Sequence, residues 1–449
     1  MDPMMNPIAC AMIALVLTVS SEPAHGLPPQ SPTAPAAEPA ITPAAINDAA
    51  MNAYRSKDFS RFLALERRAL ELEPGTPRLI YNVACGEALL GHPQESVRQL
   101  DALLDTRLDL GAETDDDFAK VRNTPEWAAF LQRLHELRKP ILRGDIAFRL
   151  DDPGLVAAGT AIDAHNGDTY IASIRERKIL RRNRTGAVSD FIPSAQNEFL
   201  AGASLAIDPA RKLLYASTSA APFMVAYRKE DDGRSGVFAF DLHSGSLARK
   251  AMLAADGKTH FLNALTVDRK GTVYVADSAV GEIFLLKPAA TELETLVAPG
   301  VFRSTQGLAL SDDEKTLFVA DYLDGVWALD LATKQTRHLE VPANTWLGGL
   351  DGLSRVVDGF IAVQIGIQPN RLLRLRMDRA WQRIAAVETI ESNRPEFNGP
   401  IQGVVDGNAF VYVANSQLSL VDGKTGAFPI ERATATIVLR TPIDTPARK

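Results

Sequence analysis

One stretch of this sequence is written twice. Phe261-Leu-Asn-Ala-Leu-Thr-Val-Asp-Arg-Lys-Gly-Thr-Val-Tyr-Val-Ala-Asp-Ser returns 43 residues later as Ser304-Thr-Gln-Gly-Leu-Ala-Leu-Ser-Asp-Asp-Glu-Lys-Thr-Leu-Phe-Val-Ala-Asp. Each copy has a polar residue, Asn263 or Gln306, then an alternating apolar run and a polar tight turn. A second β-rich run ends in Ala-Asp, and a third follows at Glu282–Leu286 or Gly325–Asp330. Short strands separated by turns and repeated at this spacing are the mark of a propeller blade.

The repeat extends in both directions. Gly159–Asp163 with Asp168–Ser173 is a copy, and so is Ala203–Asp208 with Leu213–Ser217. Asp351 with Gly359–Val363 and Gln402–Asp406 with Phe410–Asn415 bring the count to six. A lone four-stranded sheet cannot bury both faces, and radial stacking of six sheets solves this. The expected fold class is therefore mainly β, a six-bladed β-propeller preceded by a small all-α domain. The residue leading each copy should lie near one mouth of the central channel. That ring reads Ala158, Ala203, Asn263, Gln306, Asp351, Gln402. Three amides and one carboxylate on one axis suit a hard cation or a small polar ligand.

The chain has 449 residues, room for a second domain, and an ordinary apolar fraction of 46%. A net charge of −7 argues against nucleic acid as the partner. The basic run Arg175–Arg184 reads as a solvated outer strand and turn. Ile8–Val19 is an apolar run too short to span a bilayer comfortably, and it suits a signal peptide. Residues 1–26 are expected to be that leader, cleaved after Gly26 although no Lys or Arg precedes the run. The protein would then be periplasmic or secreted, with no membrane span after cleavage. Cys10 leaves with the leader and Cys85 stays alone, so no internal disulfide is expected.

Residues 27–43 are rich in Pro and Ala and read as a linker. The pattern then turns helical over residues 44–138. Phe59, Phe62, Leu63, Ala69 and Leu70 fall at helical spacing. Thr76-Pro77 begins a second helix, and Gly91-His92-Pro93 ends it and begins a third. Asp58 and Pro93 are 35 residues apart, close to the tetratricopeptide period. Asn82–Gly91 resembles the small-residue helix of such a repeat. Asp115–Asp117 reads as a helix cap, and Cys85 as a buried small residue. A domain of this kind is a scaffold for a protein partner. The propeller is expected over residues 142–449, with an insertion at Ala220–Arg234 as a lid or a solvated hairpin.

Five segments together carry a resemblance: Ser235–Gly245, His260–Val267, Thr305–Asp313, Leu350–Leu353 and Val413–Gln417. They resemble the SMP-30/gluconolactonase/LRE-like six-bladed propellers over about Leu142 to Arg440. The resemblance implies a divalent metal, Ca²⁺ above all, held by a first-blade Glu, two Asn and an Asp. It implies polarisation of a lactone or ester carbonyl by that metal. Carried over, the metal residues are Asn263, Gln306 and Asp351, with Asp351 also the general base. Gln306 stands where the family has Asn, and Ala158 where it has Glu. Ala264 replaces the Asp of paraoxonase-like relatives. Glu198 is a candidate substitute oxygen. His260, three residues before Asn263, is a candidate proton shuttle.

Two functions follow. One is a metal-assisted lactone or ester hydrolase acting on a small molecule, with Asp351 and His260 catalytic. The other is a non-catalytic ligand- or protein-binding propeller with a degenerate metal site, as Ala158 and Ala264 suggest.

Overall fold

A computed structural model describes residues 43–443. The expected leader and nearly all of the linker lie outside the described residues. The chain forms two compact units that divide at Lys139 and Pro140.

The first unit is helical: Pro43–Arg55, Phe59–Leu72, Pro77–Leu90, Pro93–Asp105 and Pro125–Leu137. The boundaries follow local chemistry. Asp58 caps the second helix, its carboxylate accepting from the Arg61 amide at 3.1 Å. Pro77 and Pro93 open their helices, where a missing N–H costs nothing. Thr76 precedes Pro77 as expected but makes no side-chain cap. Phe62, Ala84, Leu100, Phe118 and Trp127 meet in one core.

The second unit consists of six four-stranded antiparallel sheets. The innermost strands are Ala157–Ile162, Ala201–Asp208, Leu262–Val267, Thr305–Leu310, Leu350–Val356 and Gly403–Asp406. Each neighbours the next, and the last neighbours the first, so the sheets close a circle of six blades. Six apolar clusters fill the spaces between successive blades. Phe318 and Phe360, from blades four and five, meet edge to face at 4.9 Å between ring centres. Burying both faces of every sheet in this way is what holds the repeat together.

Blades one to five are each built from consecutive strands, and blade six is not. Its outer strand, Asp145–Leu150, comes from the start of the unit and pairs with Thr436–Pro442. A buried carboxylate sits beside this seam. Glu391 of blade five accepts from the amides of Arg143 and Gly144 at 3.0 and 2.7 Å. It also accepts from Thr441 Oγ1 at 2.8 Å, and from Tyr412 Oη and Arg394 at 2.5 Å each. Burial alone would raise its pKa, but these donors hold it below the usual carboxylate range.

Candidate active site at the end of the propeller channel

The residues expected to lead each copy occupy an unusual place in their strands. Leu262 pairs with Asp277 and Ala264 with Ala276, so Asn263 is an extra residue in a β-bulge. Gln306 and Ala203 are extra residues in the same way. The register also breaks at Ala158-Gly159 in blade one and Asp351-Gly352 in blade five. Gln402 stands just ahead of its strand. A bulge re-aims a side chain out of the pleat, and one recurs here in five blades.

Two of the expected residues meet directly. The Asn263 Nδ2 group donates to Gln306 Oε1, and Gln306 Nε2 donates to Ser304 Oγ at 3.1 Å. Both amides are buried. Asn263 Oδ1 is buried as well and has no hydrogen-bond partner. Gln402 reaches over from blade six, and its Nε2 donates to the backbone carbonyls of Asn263 at 3.0 Å and Ala203 at 3.3 Å.

Asp351 is half-buried, and among the described residues no hydrogen bond or ion pair reaches it. Burial pushes its carboxyl up to about 7. It is joined to the others through Gly352. That residue has a φ of +107°, and a Cβ there would lie 2.5 Å from the Cβ of Gln402. Only glycine fits this left-handed backbone and close approach.

His260 has a different task from the proton shuttle expected of it. Its Nδ1 faces Asp277 Oδ2 at 2.5 Å, and its Nε2 faces Asp256 Oδ1 at 3.0 Å. The hydrogen bond to Asp277, strengthened by Asp256, raises its pKa to about 9 although burial opposes this. At neutral pH it is a buried imidazolium with both nitrogens engaged, and it offers no lone pair to a substrate proton. Asp277 also accepts from the Phe261 amide at 3.1 Å, fixing the segment that enters the inner strand. Asp321 does the same one blade on, accepting from the amides of Arg303 and Ser304 at 2.6 and 2.9 Å. The aspartate of the repeated Val-Ala-Asp is thus a positioning device, fixing the backbone that enters the inner strand of its own blade.

Glu198 supplies no oxygen to the ring. Its side chain is 66% exposed and pairs with Lys250 at 2.7 Å. Ser204 is structural, its Oγ accepting from the Leu265 amide at 3.2 Å. Blades one, two and six share an apolar cluster with the insertion. Ala158, Ala201 and Ile401 pack there with Ala220, Ala221 and Met224 of the insertion, and half-buried Phe223 and Phe261 lie against them. The insertion is tied down: the Val225 amide donates to the Arg175 carbonyl at 2.7 Å, and buried Asp231 holds Arg234 at 2.6 Å.

A group with metal-like spacing among the described residues lies elsewhere. Cys85, Asp115 and Asp117 of the helical unit have ligand atoms within 4.8 Å of one another. Tyr54 Oη donates to Asp117 at 2.8 Å and Tyr81 Oη to Asp115 at 2.7 Å. Burial, helped by both aspartates, pushes the thiol well above its usual range. A neutral thiol among satisfied carboxylates reads as a hydrogen-bond network joining helices, because the metal-binding form is the thiolate.

No family model and no curated protein matches the sequence. Solved structures do resemble the propeller. A luciferin-regenerating enzyme aligns at 11% identity and a TM-score of 0.46, covering 69% of this chain and 99% of that one. A calcium-binding regucalcin from Agrobacterium tumefaciens aligns at 16% and 0.46, covering 67% and 96%. A gluconolactonase from Xanthomonas campestris aligns at 16% and 0.43, covering 68% and 94%. At such identities the likeness is one of fold. Among the described residues no helix is long and apolar enough to cross a membrane.

Proposed function

We propose that the propeller is a lactone or ester hydrolase working at the axial ring, with Asp351 as its base. The observation that carries this is a pair of unengaged side chains at the inner-strand bulges of blades three and five. Among the described residues, Asn263 Oδ1 is buried without a partner, and the Asp351 carboxylate meets neither an ion pair nor a hydrogen bond. Leaving a buried acceptor unpaired costs about 1–3 kcal/mol. Such groups are accounted for when a ligand completes them.

The donors present fit a divalent cation of the hard, oxygen-seeking kind, Ca²⁺ before others. Asn263, Gln306 and Asp351 would hold it. When bound, such an ion supplies polarisation of the scissile carbonyl and a charge that keeps the nearby carboxylate ionised. The remaining work belongs to the chain. Asp351 accepts the proton of the attacking water at its carboxylate. Gln306 fixes the Asn263 amide so that its oxygen faces the substrate side, and Gln402 steadies the Asn263 backbone. His260 keeps its charge and holds the entry to the blade-three strand.

A second reading has its own support. Ala158 and Ala264 bring no donor to the ring, and Asp351 is its only carboxylate. Affinity for Ca²⁺ rises with the number of anionic ligands, so a site of this kind binds weakly. A propeller that binds a ligand without turning it over would show the same features. Hydrolysis of a panel of lactones and simple esters separates the two. The hydrolase reading expects turnover with Ca²⁺ present and its loss on chelation. No turnover of any member at saturating Ca²⁺ would favour the binding protein.

A further inference from the structure

The ring end of the channel carries a second long connection besides the blade-two insertion. In each blade the turn from the second strand to the third leaves beside the start of the inner strand, where the ring residues lie. Ala157 pairs with Ser173 in blade one, and Ala201 with Ser219 in blade two. In blade six the amide of Ile401, next to Gln402, donates to the Val413 carbonyl at 3.1 Å. This turn is short in blade one, from Ser173 to Lys178, and in blade three, from Asp277 to Glu282. It is long in blade two, from Ser219 to Ser235, and longer still in blade six, from Val413 to Thr436. Blades two and six flank blade one, and their long connections touch. A Cβ on Gly426 would lie 3.0 Å from the Pro222 carbonyl oxygen and 3.3 Å from the Pro222 Cβ. At their roots, Met224 and Leu418 pack in one apolar cluster with Ala158, the ring residue of blade one.

The two connections are anchored very differently. In blade two, Met224 and Asp231 are buried, and Arg177 Nη1 donates to the Val225 carbonyl at 3.3 Å. In blade six only the neck is pinned. Gln417 Nε2 donates to the Thr434 carbonyl at 2.9 Å, and Gln417 Oε1 accepts from the Thr434 amide at 2.7 Å. Beyond that neck no residue from Asp422 to Ala435 is buried. Among the described residues, the hydrogen bonds of 422–433 all close within that stretch. Its tie to blade one is Phe428, which lies 5.3 Å beneath the Arg175 guanidinium. The carbonyl of the same Arg175 accepts from the Val225 amide at 2.7 Å. One residue of blade one thus holds both connections, the blade-two one by its backbone and the blade-six one by its side chain. A segment with so few buried contacts opens at small cost, and a single cation–π contact at an exposed place makes and breaks readily.

We propose that residues 422–433 are a gate at the ring end of the channel. The gate closes against the fixed blade-two insertion and is latched by Arg175. Its opening admits a ligand to the axial site. The proposal rests on the placing of the ligand site at that ring, and not on the hydrolytic chemistry. Arg175 is a positioning residue here, acting through Phe428.

The test locks the gate. Pro222→Cys with Gly426→Cys puts two thiols on Cβ positions 3.3 Å apart, close to what a disulfide needs. Cys85 is buried in the helical unit and stays out of the exchange. For a lactone or ester that wild type hydrolyses, kcat/KM of the oxidised protein should fall about tenfold and return with reductant. Equal values in the oxidised and reduced forms would overturn the gate. A protein that hydrolyses nothing removes the hydrolase reading and leaves the gate to a second measurement, limited trypsin cleavage of the full chain. The first cuts within the wild-type propeller should fall at exposed Lys424 or Arg432, ahead of Arg228 and Lys229 of the blade-two insertion. Arg175→Gln removes the latch and keeps the carbonyl, so it should speed those cuts about tenfold. Arg175→Lys keeps a cation for the Phe428 ring and should fall between. Gly426 has a left-handed φ of +70°, so if the cysteine pair fails to close, the Arg175 variants carry the test alone. First cuts in the blade-two insertion, or an unchanged rate in Arg175→Gln, would overturn the proposal.

Discussion

His260 lies three residues from Asn263, and its surroundings, more than its residue type, decide what it does. Both nitrogens face carboxylates, and its pKa is raised to about 9, first by the hydrogen bond to Asp277. The unfolded value is near 6.5. A folded-state pKa above the unfolded one means that folding takes up a proton. The contribution is complete below pH 6.5 and is lost as pH rises through 9, on the order of 3 kcal/mol at most. Denaturant unfolding from pH 6 to pH 10 should show that loss in wild type and a flatter profile in His260→Gln. Parallel profiles would mean that the imidazole is not charged in the folded protein. The clamp was hidden in the sequence, because Asp256 lies in a loop before His260 and Asp277 ends a strand after it, and only folding brings the three together. Asn263, Gln306 and Asp351 were legible as ring members because each leads a repeat. What the pattern of residues could not convey is which of their oxygens remain unengaged.

At the scale of elements, the repeat was readable for a local reason. Alternating apolar residues and Gly- or Asp-rich turns set each strand within about ten residues of the next. The closure of blade six has no such local signal. Asp145–Leu150 reads as one more β segment, and its partner Thr436–Pro442 lies at the other end of the unit. Glu391 is equally silent in sequence, although five donors converge on it. Removing it would take from buried Arg394 one of its two carboxylate partners, Glu396 being the other, and would leave several hydrogen-bond donors unpaired. Breaking a buried, hydrogen-bonded ion pair costs roughly 3–5 kcal/mol. Glu391→Ala should therefore melt about 5–8 °C below wild type. Glu391→Gln, which retains part of the network, should fall in between. Calorimetry of the three proteins checks this, and an unchanged Glu391→Ala would show that strand pairing alone holds the seam.

At the scale of the whole molecule, the chain joins a helical unit to a six-bladed propeller. From the apolar run Ile8–Val19 we propose that the protein is exported, to the periplasm or the medium. The mature form should then begin at Leu27, which N-terminal sequencing of protein from its native host would check. A chain that still begins at Met1 would remove the export reading. The helical unit, with its resemblance to tetratricopeptide repeats, is where we expect a protein partner.

The central claim is that the Asp351 carboxylate at the end of the channel acts as the base. Its most direct test is lactone turnover by Asp351→Asn beside wild type, both at saturating Ca²⁺. The substitution keeps the shape and one oxygen and removes the charge and the basicity. Turnover should fall roughly 10²–10⁴-fold from the lost base alone. Equal turnover in the two proteins would contradict the claim and take Asp351 out of the chemistry.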